Sequence, residues 1–221
     1  MGKLKQVFAP YYKQIYYSPK EKWDRFILSY LTKCEKILDV GCGVGRFIAN
    51  DPKRIMGVDN SEESIKICKS YGFDVRKCNI TKLPFVDNSF DAVNCSHVIE
   101  HLFPKDAYNL LKEMNRIIKP GGIMCLSTPL LHNRFYWDFT HIKPYYPQAI
   151  LHYLEKNKSN QQTLQKIGSY KVIKLKYRHP QLFAISDSPV WFLSPIFNIL
   201  HRFGISSFKR DGYTLILKKL N

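Results

Sequence analysis

A chain of 221 residues with 45% hydrophobic side chains can bury one substantial core and is only marginally long enough for two. Its formal charge of +16 calls for an acidic partner (nucleic acid, a phosphorylated substrate or anionic lipid) or a strongly basic solvated surface. An apolar stretch at 190–203 is broken by Pro195 and too short to span a bilayer. The six cysteines form no Cys-x-x-Cys pair, and Gln6 stands where a myristoylation site needs Ser or Thr, so a reducing, cytoplasmic setting without an export signal is expected.

The charge is concentrated at the ends: residues 1–35 hold seven Lys/Arg against three Asp/Glu, and 151–221 hold twelve against three. Residues 1–35 read as a basic, aromatic, helical extension. From 36 onward short β-rich apolar runs at 37–40, 55–58, 73–75, 92–95 and 123–126 alternate with segments of helical period, the pattern of a parallel sheet covered by helices. Ser-x-x-Ser with Glu62 and Glu63 predicts a capped helix over 61–71. Leu110, Leu111, Met114, Ile117 and Ile118 share one face of a second helix, which Lys119-Pro-Gly-Gly122 ends. A further helical stretch after Tyr146 and strands at 170–177 and 213–217 complete an α/β fold that is mostly parallel, with an antiparallel last strand and helices on both faces. Residues 179–210 form an aromatic, basic insertion before that strand.

The run Ile37-Leu-Asp39-Val-Gly41-Cys42-Gly43-Val-Gly45 is an apolar strand opening into three alternating glycines, which admit a ligand close to the backbone. Arg46 breaks the dinucleotide fingerprint, and no Gly-Lys-Ser/Thr follows as a phosphate loop requires. A second strand ends in Gly57-Val-Asp59, where a carboxylate can accept both ribose hydroxyls of a nucleoside.

In this order, from about Lys36 to Thr128, the chain resembles the class I S-adenosylmethionine-dependent methyltransferases, and it is similar to their Rossmann-like members in Leu83-Pro-Phe-Val-Asp-Asn-Ser-Phe-Asp91, His97-Val-Ile-Glu-His-Leu102 and Leu126-Ser-Thr-Pro129. The resemblance implies a methyltransferase domain over 36–221 with S-adenosyl-L-methionine as cofactor. It implies that Asp39, Gly41, Cys42, Gly43 and Gly45 form the methionine-side loop, that Asp59 and Asn60 hold the ribose, that Asn79 and Ile80 lie beside the adenine, and that Ser96 and His97 line the cleft. Many relatives carry Asp at position 79; the Asn79 amide oxygen still accepts from the adenine amino group but without charge assistance, which weakens binding.

His97-x-x-Glu100-His101 also matches the inverted zinc-protease signature. Zinc there needs a helix and a third ligand. The segment directly follows a predicted strand, so a cofactor-lining or capping role is expected, and no metal.

Transfer from a sulfonium needs mainly positioning, with a base for hydroxyl acceptors. After Pro129, the segment 132–147 gathers aromatics, a carboxylate, imidazoles and cations at the carboxyl end of the sheet. Its Asp138-Phe-Thr-His141-Ile-Lys143-Pro portion resembles methyltransferases associated with glycan and glycolipid assembly. That resemblance implies a sugar, glycolipid or other small-molecule hydroxyl acceptor, acidic or lipid-linked, with His141 as base, Asp138 orienting it, and Arg134 and Lys143 meeting negative charge; Tyr136 and Trp137, in the same segment, are further candidate acceptor contacts. A structural alternative has the aromatics packing and Asp138 capping a turn with Thr140 or His141. RNA or another nucleic acid is the competing acceptor; the missing Asn/Asp-Pro-Pro-Tyr after the fourth strand, which reads Asn94-Cys-Ser-His97, disfavours base N-methylation. A non-catalytic binding protein on the same fold is the third reading. Ile196, Ile199, Leu200 and Phe203, with Trp191, Phe192 and nearby Arg202, Lys209 and Arg210, form either a core-facing stripe or a face for peripheral contact with an anionic membrane.

Overall fold

The computed structural model describes residues 20–154, 164–179 and 210–220. Helix α1 (Lys20–Tyr30) leads into strand β1 (Ile37–Val40), β2 (Ile55–Asp59), helix α2 (Glu62–Ser70), β3 (Val75–Lys77) and β4 (Phe90–Ser96). Helix α3 (Pro104–Ile117), β5 (Ile118–Pro129), helix α4 (Pro147–Leu154), β6 (Tyr170–Arg178) and β7 (Gly212–Lys219) follow. The strands form one sheet of order β3-β2-β1-β4-β5-β7-β6, parallel from β3 through β5, with β7 antiparallel to both β5 and β6. The expected mostly parallel α/β sheet is therefore present.

Both faces of the central strands are covered, as a parallel sheet requires. All four residues of β1 are buried. One core cluster joins Leu38, Val40 and Val93 to the α3 face of Leu110, Leu111, Met114 and Ile117; the other joins Ile37, Ile48 and Ile55 to Ile27 and Leu31. The last two residues bring the described part of the expected extension, helix α1 and the turn after it, into the core. Asp24 on α1 pairs with Arg46 just beyond the glycine loop, and Lys176 of β6 lies 4.9 Å over Trp23 and 4.1 Å over Phe26.

Local chemistry explains the boundaries. Ser61 caps α2, its Oγ accepting from the backbone N–H of Ser64 at 3.2 Å. The strand predicted at 73–75 begins instead at Val75, because Phe73 N–H closes onto the Cys68 carbonyl at 3.1 Å and its ring packs under the glycine loop. α3 ends before Pro120, and β5 starts at Ile118, opposite Phe90. Residues 119–122 then leave register until Ile123 pairs with Ala92. The edge strand β6 exposes Lys171 and Lys174 on either side of a bulge, and charge and bulge both discourage edge-to-edge pairing. No helix among the described residues is long and apolar enough to cross a membrane. Most of the predicted 179–210 insertion, including the 191–203 stripe, lies outside the described residues.

Candidate active site

Every sequence-predicted site residue lies at or beyond the carboxyl ends of β1 to β5, where open α/β sheets bind ligands. Gly41 and Cys42 hang from β2, both backbone N–H groups donating to the Val58 carbonyl at 2.8 and 3.0 Å. Gly41 has φ +71°, and a Cβ there would sit 2.3 Å from Val98 Cγ2, so only glycine fits. Gly43 has φ +51° and meets nothing within 4 Å of a would-be Cβ, leaving its backbone open to a ligand. Gly45 is closed beneath by Phe73 and Cys68.

Asp59 ends β2 and ties the cleft together. Its Oδ2 accepts from Gly43 N–H at 2.8 Å and its Oδ1 from Ser61 N–H at 2.9 Å. A carboxylate oxygen has two acceptor positions, so each keeps one for a hydroxyl. Asp39 lies behind the loop, 4% exposed, with Asn94 Nδ2 donating to Oδ1 at 2.7 Å. Burial outweighs that bond and pushes its carboxyl up to about 7. Cys42 Sγ faces inward toward Gly57, so only the Cys42 backbone can line the cleft.

Beyond Asp59, a cavity of about 630 Å³ is lined by Asn60, Lys77, Cys78, Asn79, Ile80, Thr81, Leu102 and Asp106. This size suits a nucleoside-bearing ligand. One expectation needs correcting: the Asn79 Oδ1 already accepts from Thr81 N–H at 2.9 Å and Thr81 O–H at 2.8 Å, an Asx turn that uses both its lone pairs. The amide nitrogen of Asn79 remains as a donor. Leu102 and Asp106 were missed by sequence reasoning, although Leu102 closes the His97–Leu102 motif that marked this segment.

His97 ends the β4 turn at φ +58°, an unusual conformation for a residue with a Cβ. Arg178 Nη1 can only donate, so His97 Nε2 accepts from it at 3.2 Å and His97 Nδ1–H donates to Glu100 Oε1 at 3.2 Å. Thr128 O–H donates to the other Glu100 oxygen at 3.1 Å. Glu100 is fully buried; burial raises its carboxyl, and the His97 bond with the neighbouring imidazoles outweighs this, leaving it below its ordinary value. Ser96, beside His97, continues the register opposite Ser127.

The acceptor-side loop folds back over this turn. Ile142 N–H donates to the Glu100 carbonyl at 2.8 Å. His141 Nδ1–H donates to the Phe135 carbonyl at 2.7 Å, while its Nε2 stands 3.8 Å from Asp138 Oδ2, beyond hydrogen-bond reach. Phe135, not Asp138, therefore orients His141. Asp138 Oδ1 instead accepts from Thr140 N–H at 2.9 Å and Thr140 O–H at 2.6 Å, capping the turn. The Thr140 oxygen, having spent its proton, accepts from His101 Nδ1–H at 2.8 Å. The His101 and His141 rings meet edge to face at 4.7 Å. Tyr136 and Trp137 are largely exposed beside this pair, with Arg134 4.9 Å over the Trp137 ring and Lys143 5.4 Å from the Tyr145 ring.

A glycine loop at the switch from β1 to α1's side of the sheet, a carboxylate ending β2 and a nucleoside-sized cavity beyond it lie together at the carboxyl end of a Rossmann-like sheet. Residues 38–126 match the family model described as a methyltransferase domain. An uncharacterized methyltransferase of Schizosaccharomyces pombe is 37% identical over 123 residues, 48% of this chain and 44% of that protein. A probable tRNA methyltransferase 9B of Bos taurus is 36% identical over 88 residues, 39% of this chain and 19% of that protein. The chain thus spans less than half the length of these curated relatives. A crystal structure titled a SAM dependent methyltransferase from Archaeoglobus fulgidus superposes with a TM-score of 0.67 at 24% identity, covering 96% of this chain and 99% of that one.

Proposed function

We propose that the chain binds S-adenosylmethionine along the Gly41–Asp59–Asn79 cleft and transfers its methyl group to a hydroxyl of a sugar, glycolipid or other small molecule. The observation that carries the reading is the Gly43 backbone, unobstructed at its Cα and held against Asp59, whose two carboxylate oxygens each keep an acceptor position beside the cavity that begins at the adjacent Asn60. These residues fit the cofactor: the glycine backbone would admit the methionine end, Asp59 and Asn60 would meet the ribose, and Ile80 and Leu102 would offer apolar surface to the base. When bound, the cofactor supplies an activated methyl group whose sulfur leaves as a neutral thioether.

The chain's part is to place the acceptor oxygen in line and take its proton. His141 is the group for that step: the Phe135 carbonyl fixes Nδ1 as the protonated nitrogen, so Nε2 carries a lone pair. Asp138 serves by holding Thr140 and, through it, His101. Arg134 and Lys143 would meet negative charge on an acidic or lipid-linked acceptor. A second reading, an RNA acceptor, draws on exposed Tyr136, Trp137 and Phe139, which could stack on bases, on the charge of +16 and on the tRNA-modifying relative.

The test is transfer of labelled methyl to a panel of free sugars, sugar phosphates, glycolipids and tRNA. A labelled hydroxyl product, with turnover reduced on the order of 100-fold in His141→Ala while cofactor affinity is kept, is the expected result. Transfer to tRNA alone would move the assignment to RNA; full activity in His141→Ala would remove the base.

A further inference from the structure

We propose that Glu100, His101 and His141 form a binding site for one divalent transition-metal ion of the zinc type on the acceptor side of the cleft. One donor atom from each lies within 4.8 Å of the other two. The sequence signature His97-x-x-Glu100-His101 would use His97 as a ligand, and the fold excludes that: His97 spends Nδ1 on Glu100 and Nε2 on Arg178. The loop 135–141 supplies His141 in its place.

Donor and acceptor accounting prepares both imidazoles for a metal. The Phe135 carbonyl can only accept, so His141 is protonated at Nδ1; Thr140 gives its proton to ionised Asp138, so His101 is protonated at Nδ1 as well. Each ring therefore presents Nε2 as a lone pair, with no hydrogen-bond partner for it among the described residues. A metal-bound histidine shows this arrangement, with its other nitrogen donating to a carbonyl or a carboxylate-linked group.

Glu100 adds the charge. It is a fully buried carboxylate whose described side-chain partners are a hydroxyl and an imidazole that already accepts from Arg178, and each of its oxygens keeps a lone pair. A buried anion in such company is stabilised by a cation. Two imidazoles and one carboxylate suit zinc, cobalt, iron or nickel rather than calcium or magnesium. Ligands about 2.0 to 2.2 Å from a shared ion lie closer together than the present limit, so binding draws the three inward by about an ångström. The inference rests on the proposed reaction for its use: with the ion bound, the acceptor hydroxyl would be held and its pKa lowered so that its proton passes to bulk water, and His141, the base of the metal-free chain, would serve that step as a ligand.

The test uses the whole chain, stripped with a chelator and kept reduced, titrated with Co²⁺ and followed by visible absorption, with S-adenosylmethionine affinity measured on the same samples. One cobalt per chain with nitrogen and oxygen ligation is expected. His101→Gln and His141→Gln should weaken it more than 100-fold, and Thr140→Val, which removes an outer partner, about 10- to 100-fold. His132→Gln, in the same loop but outside the trio, should leave it unchanged. X-ray absorption on the unmodified Zn²⁺-loaded chain needs no variant to fold and should show imidazole neighbours. No stoichiometric binding, thiolate ligation, or binding indifferent to both histidines would overturn the site. Intact cofactor binding in those samples would leave the methyl-transfer reading standing.

Discussion

Single residues carry most of the cleft's chemistry, and Asp39 shows how burial sets one of them. Its carboxyl is raised to about 7 from an ordinary 3.8, so between those values the folded chain keeps a proton that the unfolded chain has lost. Stability from this group is then fully present below pH 3.8 and declines as pH rises through about 7. The ligand-free chain should therefore lose thermal stability from this source between about pH 4 and 7, and Asp39→Asn should flatten that slope; an unchanged slope in the variant would remove Asp39 as its origin. At Gly41, a methyl group would meet Val98 at 2.3 Å in a left-handed backbone. Gly41→Ala should cost about 2 kcal/mol or more in denaturant unfolding and weaken cofactor binding at the same time. Asp59 was legible from the sequence because a carboxylate ending the second strand has one obvious use. Its grip on Gly43 and Ser61 was not, since backbone partners leave no trace in residue types.

At the scale of elements, the sequence motifs divide into those that touch the cleft and those that hold it. Leu83-Pro-Phe-Val-Asp-Asn-Ser-Phe-Asp91 is of the second kind. Arg116 on α3 donates to the carbonyls of Phe85 and Leu83 at 2.7 and 3.0 Å and to Asp87 and Glu113 at 2.8 and 2.7 Å. Asp91 in turn accepts from the backbone N–H groups of Glu35 and Lys36 at 3.0 and 2.9 Å, fixing the start of β1. Arg116→Ala should destabilise the fold by about 1 to 3 kcal/mol, because two part-buried carbonyls and the Glu113 carboxylate lose their donor; a loss below about 0.5 kcal/mol by urea unfolding would show the segment is held elsewhere. The helix and strand periods were readable for α2, α3, β1, β2 and β4, where apolar spacing and caps agree. The start of β5 was not, because Pro-Gly-Gly reads as a stop while the backbone there only leaves register and returns. His101 was missed as a partner of Thr140 for a similar reason: the two lie 39 residues apart and meet only when the acceptor loop folds back.

For the whole molecule, the sheet order places every candidate residue on one edge and leaves the opposite ends of the strands to stability. The fold class followed from alternation of strand and helix patterns; the charge of +16 did not specify a partner, since a basic surface serves lipid, phosphate and RNA alike. Ligand linkage offers a test at this scale. A cofactor that binds only the folded chain should stabilise it by about 2.7 kcal/mol at a hundred times its dissociation constant, visible as a rise in thermal midpoint. The central claim is tested most directly by calorimetric titration of S-adenosylmethionine into the native chain and Asp59→Ala. The account predicts one site per native chain and an affinity at least tenfold lower in the folded variant, because each charge-assisted bond from the ribose contributes about 1.5 to 3 kcal/mol. No heat of binding to the native chain, or equal affinity in a folded Asp59→Ala, would contradict it.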